Sequence, residues 1–289
     1  MDEEGILEMT WMIFASSSVF SFLILVTLGK KWELDKKFIL PAALVIGIFS
    51  GAIVNGISKF YNLSFYQIAV MEIILITTTA ILLLLWRFYR DPDRIPPKID
   101  NAILSPADGE ILYIKKIEEG EIPFSDKNGK KFSLRDFVQA DVLPNGGYLI
   151  GIAMNYLDVH VNRAPIGGKI VLLKRIKGLF ISLKKKEAAF QNERVFTVID
   201  NGDFKVGIIQ IASRLVRKIV PYIKEGEQIK RGKRIGVIRF GSQVDLIIPN
   251  LLSIRIEVLS NTKVVAGLSV IATFDRTLGE DNKLTRTKS

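Results

Sequence analysis

Two stretches without a single charged side chain, Met9–Gly29 and Phe38–Ser58, most constrain what this chain can fold into. Each is 21 residues long, and a helix needs about 20 apolar residues to cross the hydrocarbon core of a bilayer. Backbone groups left unpaired in that core are costly, so both stretches predict membrane-spanning helices. A third run, Phe60–Trp86, is apolar except for Glu72, with Ile73–Leu85 its most lipid-like part, and it predicts a third span. Glu72 lies near enough to one end of that run to be expected to face water or the interface.

Flanking charge sets the expected orientation. The first connection carries Lys30, Lys31, Lys36 and Lys37, the second only Lys59, and Arg87, Arg90 and Arg94 follow the third run. Basic loops stay on the cytoplasmic side, so the amino terminus is expected outside and everything after Trp86 inside, at the plasma membrane. Asp2, Glu3, Glu4 and Glu8 make the amino terminus acidic, and no small-residue cleavage site follows the first run, so no cleavable signal peptide is expected. Residues 1–86 read as a membrane anchor and 87–289 as a cytoplasmic domain. The proline-punctuated linker Arg90-Asp91-Pro92-Asp93-Arg94-Ile95-Pro96-Pro97 between them cannot continue a helix.

Composition narrows the chemistry of that domain. The chain has no cysteine, which excludes disulfides, thiolate metal sites and a cysteine nucleophile. His160 is its single histidine, so a multi-histidine metal site is excluded, no metal is expected, and any imidazole chemistry must use that residue. Residues 87–289 hold 35 basic and 23 acidic side chains, a net charge of +12. Such a domain tethered at an anionic leaflet is drawn to its lipids. No nucleic-acid module is recognisable, and nucleic acid is not expected as a partner.

Beyond the linker come short alternating or apolar runs: Ala102–Leu104, Glu110–Ile114, Tyr148–Met154, Lys169–Leu173, Val195–Ile199, Lys205–Ile211, Ile235–Phe240, Val244–Ile248 and Ser253–Val258. Their spacing, with glycines between, predicts a mainly β domain and, with the anchor, an α+β chain. Lys127–Lys130 reads as an exposed turn and Ser133–Val138 as a short helix. Residues 223–238 and 258–271 share a pattern of apolar residue, polar turn, then glycine before a strand. That pattern resembles the flattened β barrel-sandwich of biotinyl and lipoyl carrier domains.

Four stretches concentrate groups able to do chemistry. Ser105-Pro106-Ala107-Asp108-Gly109-Glu110 is a proline-initiated turn into a strand. In Asn155–Pro165, His160 stands beside Asp158, Asn162 and Arg163, a better setting for a base than a lone histidine usually has. Phe190-Gln191-Asn192-Glu193-Arg194 offers Arg194 to an anionic head group, or forms a solvated turn. In Arg239–Pro249, Gly241-Ser242 sits between two strand-like runs. A strained turn there could hold the serine hydroxyl against the preceding carbonyl; the alternative is an ordinary turn between strands.

Taken together, Ser105–Glu110, Leu157–Pro165, Asn192–Arg194 and Arg239–Pro249, in this order and at these separations, resemble the phosphatidylserine decarboxylases, closest to the short bacterial and archaeal type with Phe-Gly-Ser at the processing site. The likeness covers nearly all of residues 87–289. It implies a proenzyme that cuts itself between Gly241 and Ser242, leaving a β chain of residues 1–241 and an α chain of residues 242–289 held together as a heterodimer. Ser242 would become a pyruvoyl group, the cofactor, and a membrane serine phospholipid would lose CO₂ to give the ethanolamine lipid. By motif match Asp108 and His160 correspond to the family's serine-activating pair, in the manner of a Ser-His-Asp triad, and His160 is the candidate proton donor to the decarboxylated carbon. Arg163, Asn192 and Arg194 are candidates for substrate binding. Longer family members carry a second histidine where this chain has Arg163, and Leu-Gly-Ser-Thr where it has Phe-Gly-Ser-Gln.

Two other readings stay open. One keeps the pyruvoyl chemistry but gives it a soluble amino acid, although such a substrate needs no anchor. The other is a non-enzymatic membrane adaptor with a lipoyl-like β sandwich, which leaves Asp108, His160 and Ser242 without a role.

Overall fold

The structure is a computed structural model. It describes residues 3–31, 34–119, 124–127, 130–133, 142–143, 145–176, 193–212, 218–239, 242–251 and 253–275. Two compact units divide the chain: one comprises the chain up to Arg90 together with Asn155–Leu157, the other Asp91–Met154 and the chain from Asp158 onward.

The first unit holds three helices, α1 (Glu3–Lys31), α2 (Lys36–Ser58) and α3 (Phe65–Phe88), each long and apolar enough to cross a membrane. Asp35 caps α2 by accepting the Lys37 N–H. The expected third span differs at its start. Phe60–Leu63 lie outside the helix, because Ser64 and Gln67 form a reciprocal capping box that fixes the first turn at Phe65. Glu72 also departs from expectation. It is fully buried and accepts the hydroxyls of Ser16 at 2.9 Å and Ser17 at 2.8 Å. A carboxyl facing three-helix packing needs donors within the bundle, and two consecutive α1 serines provide them.

The second unit is antiparallel at every pairing among its described strands. These are β1 (Ala102–Leu104), β2 (Gly109–Ile117), β3 (Phe124–Lys127), β4 (Lys130–Ser133), β5 (Gly147–Met154), β6 (Val161–Arg163), β7 (Gly168–Ile176), β8 (Arg194–Asp200), β9 (Lys205–Ile211), β10 (Lys218–Pro221), β11 (Gln228–Ile229), β12 (Arg234–Arg239), β13 (Ser242–Pro249), β14 (Arg255–Ile256), β15 (Lys263–Val264) and β16 (Val270–Thr273). The main sheet runs β11-β7-β8-β9-β13-β5-β2-β15, beside two three-stranded sheets, β1-β16-β14 and β10-β12-β6, and the hairpin β3-β4. Helices plus antiparallel sheet bear out the mixed α+β class. Lys127 and Lys130 are the last pair of the β3-β4 hairpin, whereas residues 134–138 of the expected short helix lie outside the described residues.

Strand β13 shows why Val244–Ile248 reads as a continuous apolar run. Val244, Leu246 and Ile248 enter the larger core with Ile111, Ile152 and Ile208, while Ile247 packs on the opposite face with Leu149, Phe196 and Ile209. A strand covered on both faces loses the polar-apolar alternation. Its one charged residue, Asp245, is fully buried and accepts from Tyr113 Oη at 2.8 Å and Gln243 Nε2 at 2.7 Å, as a buried carboxylate must.

The short strands repeat one plan twice. In one half β1 leads to β2, with β16 on β1 and β15 on β2; in the other β6 leads to β7, with β12 on β6 and β11 on β7. Corresponding backbone bonds match. Ser105 N–H donates to Ser269 O and Gly267 N–H to Ser105 O, as Ala164 N–H donates to Lys233 O and Gly232 N–H to Ala164 O, all at 2.8 Å. The halves interlock through Leu104 N–H to Pro165 O at 3.0 Å and Arg163 N–H to Pro106 O at 2.9 Å.

Candidate active site

Strand register gathers most of the sequence motifs at one end of the main sheet. Arg194 pairs with Ile211, Ile211 with Gln243, Gln243 with Ala153 and Ala153 with Glu110, a continuous row over five strands. One residue further out stand Ser242, opposite Met154, and Gly109. Asp108 therefore precedes β2, His160 follows β5, and Ser242 opens β13 at the same end. Asn192 and Gly241 lie outside the described residues, and Ser242 is described through its backbone.

His160 is held by its backbone and by its ring. Its carbonyl accepts the Ile238 N–H at 3.2 Å, which ties it to the strand leading toward residue 241. Its Nδ1 lies 2.9 Å from the Asp158 carbonyl oxygen. A carbonyl only accepts, so Nδ1 carries the proton of the neutral ring and Nε2 the basic lone pair. The ring is 1% exposed, so solvent does not compete for that lone pair.

Asp108 is placed by Gly109. With φ +149°, a Cβ on Gly109 would stand 2.0 Å from the Ala153 carbonyl oxygen, so only glycine lets β2 begin against β5 here. The Asp108 carboxylate is buried; Oδ1 accepts from Arg94 Nη1 at 2.6 Å and the Ala266 N–H at 2.8 Å, and Oδ2 from Arg94 Nη2 at 2.8 Å. A Ser-His-Asp triad would place a carboxylate at the histidine Nδ1. Here Nδ1 faces the Asp158 main-chain carbonyl, and the Asp108 carboxylate is bound by Arg94. Sequence reasoning missed Arg94 because nothing in a linker arginine signals a partner 14 residues on.

Arg163 is also buried. It donates from Nη1 to Gly232 O at 3.1 Å and from Nη2 to Pro92 O at 2.9 Å, with Asp91 Oδ1 at 3.4 Å. Burial first, then the neighbouring Arg234 and Arg94 guanidiniums, hold its pKa below the ordinary arginine value, with Asp91 and Asp93 opposing. Beside Arg194, Glu193 is buried; it accepts from Arg175 Nε at 2.5 Å and the Ile219 N–H at 3.4 Å. Two amides complete this end: Gln210 Nε2 donates to Asn162 Oδ1 at 2.8 Å, and Asn162 Nδ2 approaches Met154 Sδ at 3.8 Å. Among the described residues no three His, Cys, Asp or Glu side chains converge as metal ligands.

Near one end of the antiparallel main sheet lie a buried imidazole, an arginine-bound carboxylate and the backbone start of β13 at Ser242. The family to which this site and fold belong is settled by comparison. The phosphatidylserine decarboxylase family model matches residues 81–272, and the chain belongs to that family, whose members are carboxy-lyases. A protein of Methanocaldococcus jannaschii named as an archaetidylserine decarboxylase proenzyme is 44% identical over 208 residues, 72% of this chain and 94% of the relative. One of the same name from Methanothermobacter thermautotrophicus is 39% identical over 196 residues, 68% and 83% of the two chains. A phosphatidylserine decarboxylase proenzyme of a Geobacter species is 32% identical over 216 residues, 74% and 85%.

Proposed function

We propose that this protein is a membrane-anchored, pyruvoyl-dependent decarboxylase of a serine phospholipid, phosphatidylserine or archaetidylserine, made as a proenzyme that cuts itself between Gly241 and Ser242. The relatives' names support the lipid substrate and the proenzyme state. The observation that carries the reading is the double tie of His160: its carbonyl bonds Ile238, just before the junction, and the strand preceding it ends at Met154, paired with Ser242. Backbone ties on both sides of the junction favour a base brought close to it, as intramolecular attack needs.

In the processing step His160 Nε2 takes the Ser242 hydroxyl proton as the oxygen attacks the Gly241 carbonyl. The peptide nitrogen leaves the carbonyl carbon to give an ester, and β-elimination then frees the Gly241 carboxylate. Water replaces the nitrogen as ammonia, leaving a ketone on the new terminus. That terminus suits a pyruvoyl group because β13 keeps it pinned to β5. The group would supply an electron sink for the carboxylate's bond pair. His160 then returns a proton to the former α-carbon, while Arg194 and Asn192 are taken to meet the phosphate or carboxylate. Arg163, whose guanidinium already holds the linker, is taken as a positioning residue. Asp108 serves the step through the loop it anchors.

The two matching halves support a flattened barrel-sandwich of the biotinyl and lipoyl kind for residues 87–289. The lysines and arginines flanking the helices support a multi-pass anchor, residues 1–86, with the β unit on the cytoplasmic side, where its +12 charge favours anionic lipid. The test is intact mass under denaturing conditions. Wild type is expected as two pieces, the smaller beginning with pyruvoyl in place of Ser242, and Ser242→Ala as one uncut chain. A full-mass wild-type chain would overturn the reading.

A further inference from the structure

The geometry points to Arg94 as a positioning residue for self-processing, locking the Asp108 loop so that β6 presents His160. The inference rests on the processing reading above.

The linker Asp91–Ile99 is held along its length by arginines of the β unit. Asp91 accepts from Arg234 Nε at 2.6 Å and lies 3.4 Å from Arg163 Nη2, and Asp93 accepts from Arg234 Nη2 at 2.7 Å. Further along, Arg231 donates to the carbonyls of Pro97, at 3.0 Å, and Ile99. The Arg94–Asp108 pair has both side chains buried, 7% and 10% exposed, whereas Arg163, at 4%, faces Asp91 at 30%, and Arg234 and Asp93 stand at 37% and 95%. Exposed pairs contribute little, and a buried pair broken on one side leaves an uncompensated charge. The guanidinium fork also fixes direction, because both carboxylate oxygens are engaged and Arg94 Nη1 reaches the Ala266 carbonyl at 2.8 Å as well.

The locked carboxylate ends a loop that bears on the histidine. Pro106 O accepts the N–H of Arg163, the last residue of β6, three positions after His160. Ser105 Oγ donates to Ala107 O at 2.6 Å and closes the same loop internally. The chain of contact runs from Arg94 to Asp108, through Pro106 to β6, and back along β6 to His160.

The test follows release of the 242–289 fragment over time from full-length chains made in the presence of lipid nanodiscs, with thermal unfolding of each variant. Arg94→Ala is expected to slow release by about tenfold or more, with millimolar guanidinium restoring part of the rate. Arg94→Lys should be intermediate, since it keeps charge without the fork. Arg234→Ala, which loosens only exposed linker pairs, should stay within about threefold of wild type. Combining Arg94→Ala with Asp108→Asn should slow release no further than the slower single variant, the sign of action through one another. Wild-type release from Arg94→Lys together with additive effects in the double variant would overturn the inference. If Arg94→Ala does not fold, Arg94→Lys at the wild-type rate and melting point overturns it alone. A wild-type chain that is never cut sinks the processing reading; a cut wild type with equally fast Arg94 variants sinks only the role of Arg94.

Discussion

The two halves of the β unit are alike in backbone and unlike in chemistry. Ser105-Pro106-Ala107-Asp108-Gly109 in one corresponds to Ala164-Pro165-Ile166-Gly167-Gly168 in the other, with the same hydrogen bonds to Gly267 and Ser269 or to Gly232 and Lys233. Both halves start their long strand on a glycine of large positive φ, +149° and +153°, where a Cβ would meet a carbonyl oxygen at 2.0 or 2.2 Å. Where the first half carries Asp108 and Arg94, the second has Gly167 beside a cleft of about 440 Å³ lined in part by Lys230 and Arg231. The second half folds without a carboxylate, so the fold does not demand Asp108 in the first. The part in processing proposed above would account for it.

That contrast is broken most severely at the residues with no counterpart in the second half. His160→Ala is expected to yield no 242–289 fragment while its melting temperature stays close to that of wild type; normal cleavage on a denaturing gel would remove His160 as the base. Gly109→Ala and Gly168→Ala should both lose about 3 kcal/mol or more, and denaturant titration should show the two losses to be similar, as equivalent backbone positions require. Asp108→Asn is expected to slow processing by about 100-fold with little change in circular dichroism, and an unchanged rate would erase the distinction between the halves. Gly167→Ala should shift stability by less than about 0.5 kcal/mol, because its nearest neighbour to a Cβ would be Arg231 N at 3.4 Å.

The smallest effect is electrostatic. A hydrogen bond from Arg234, reinforced by its charge, lowers the Asp93 pKa below its ordinary 3.8. A carboxyl depressed on folding contributes stability that is present above the unfolded pKa and lost as pH falls through the folded one. The melting temperatures of wild type and Asp93→Asn should therefore differ slightly near neutral pH and converge below the ordinary aspartate range. A gap that widens on acidification would contradict the pair.

How much of this was legible beforehand depended on whether the signal was local. Uncharged runs and strand alternation are local, so the three helices and most long strands could be read from sequence. The start of α3 could not be read from hydropathy, since Phe60–Leu63 are as apolar as the helix and only the Ser64–Gln67 cap ends the ambiguity. Glu72 was misplaced because its partners sit on α1, more than 50 residues away. Of the duplicated plan only residues 223–238 and 258–271 showed a pattern; the matching pieces around β1-β2 and β6-β7 have in common little beyond Pro106 with Pro165 and Gly109 with Gly168. The site motifs were visible as clusters, yet the Arg94 fork and the Asp158 carbonyl at His160 arise from pairing that no spacing reveals.

Strand β13 lies within the main sheet, paired along its length with β5 on one side and over residues 243–247 with β9 on the other. A strand at an edge can be peeled away one bond at a time, but one in the middle must let go of both neighbours together. If the bond before Ser242 is cut, the short piece is left woven into the long one. Dilution should not separate them, and a tag on either piece should recover both until the whole sheet comes apart.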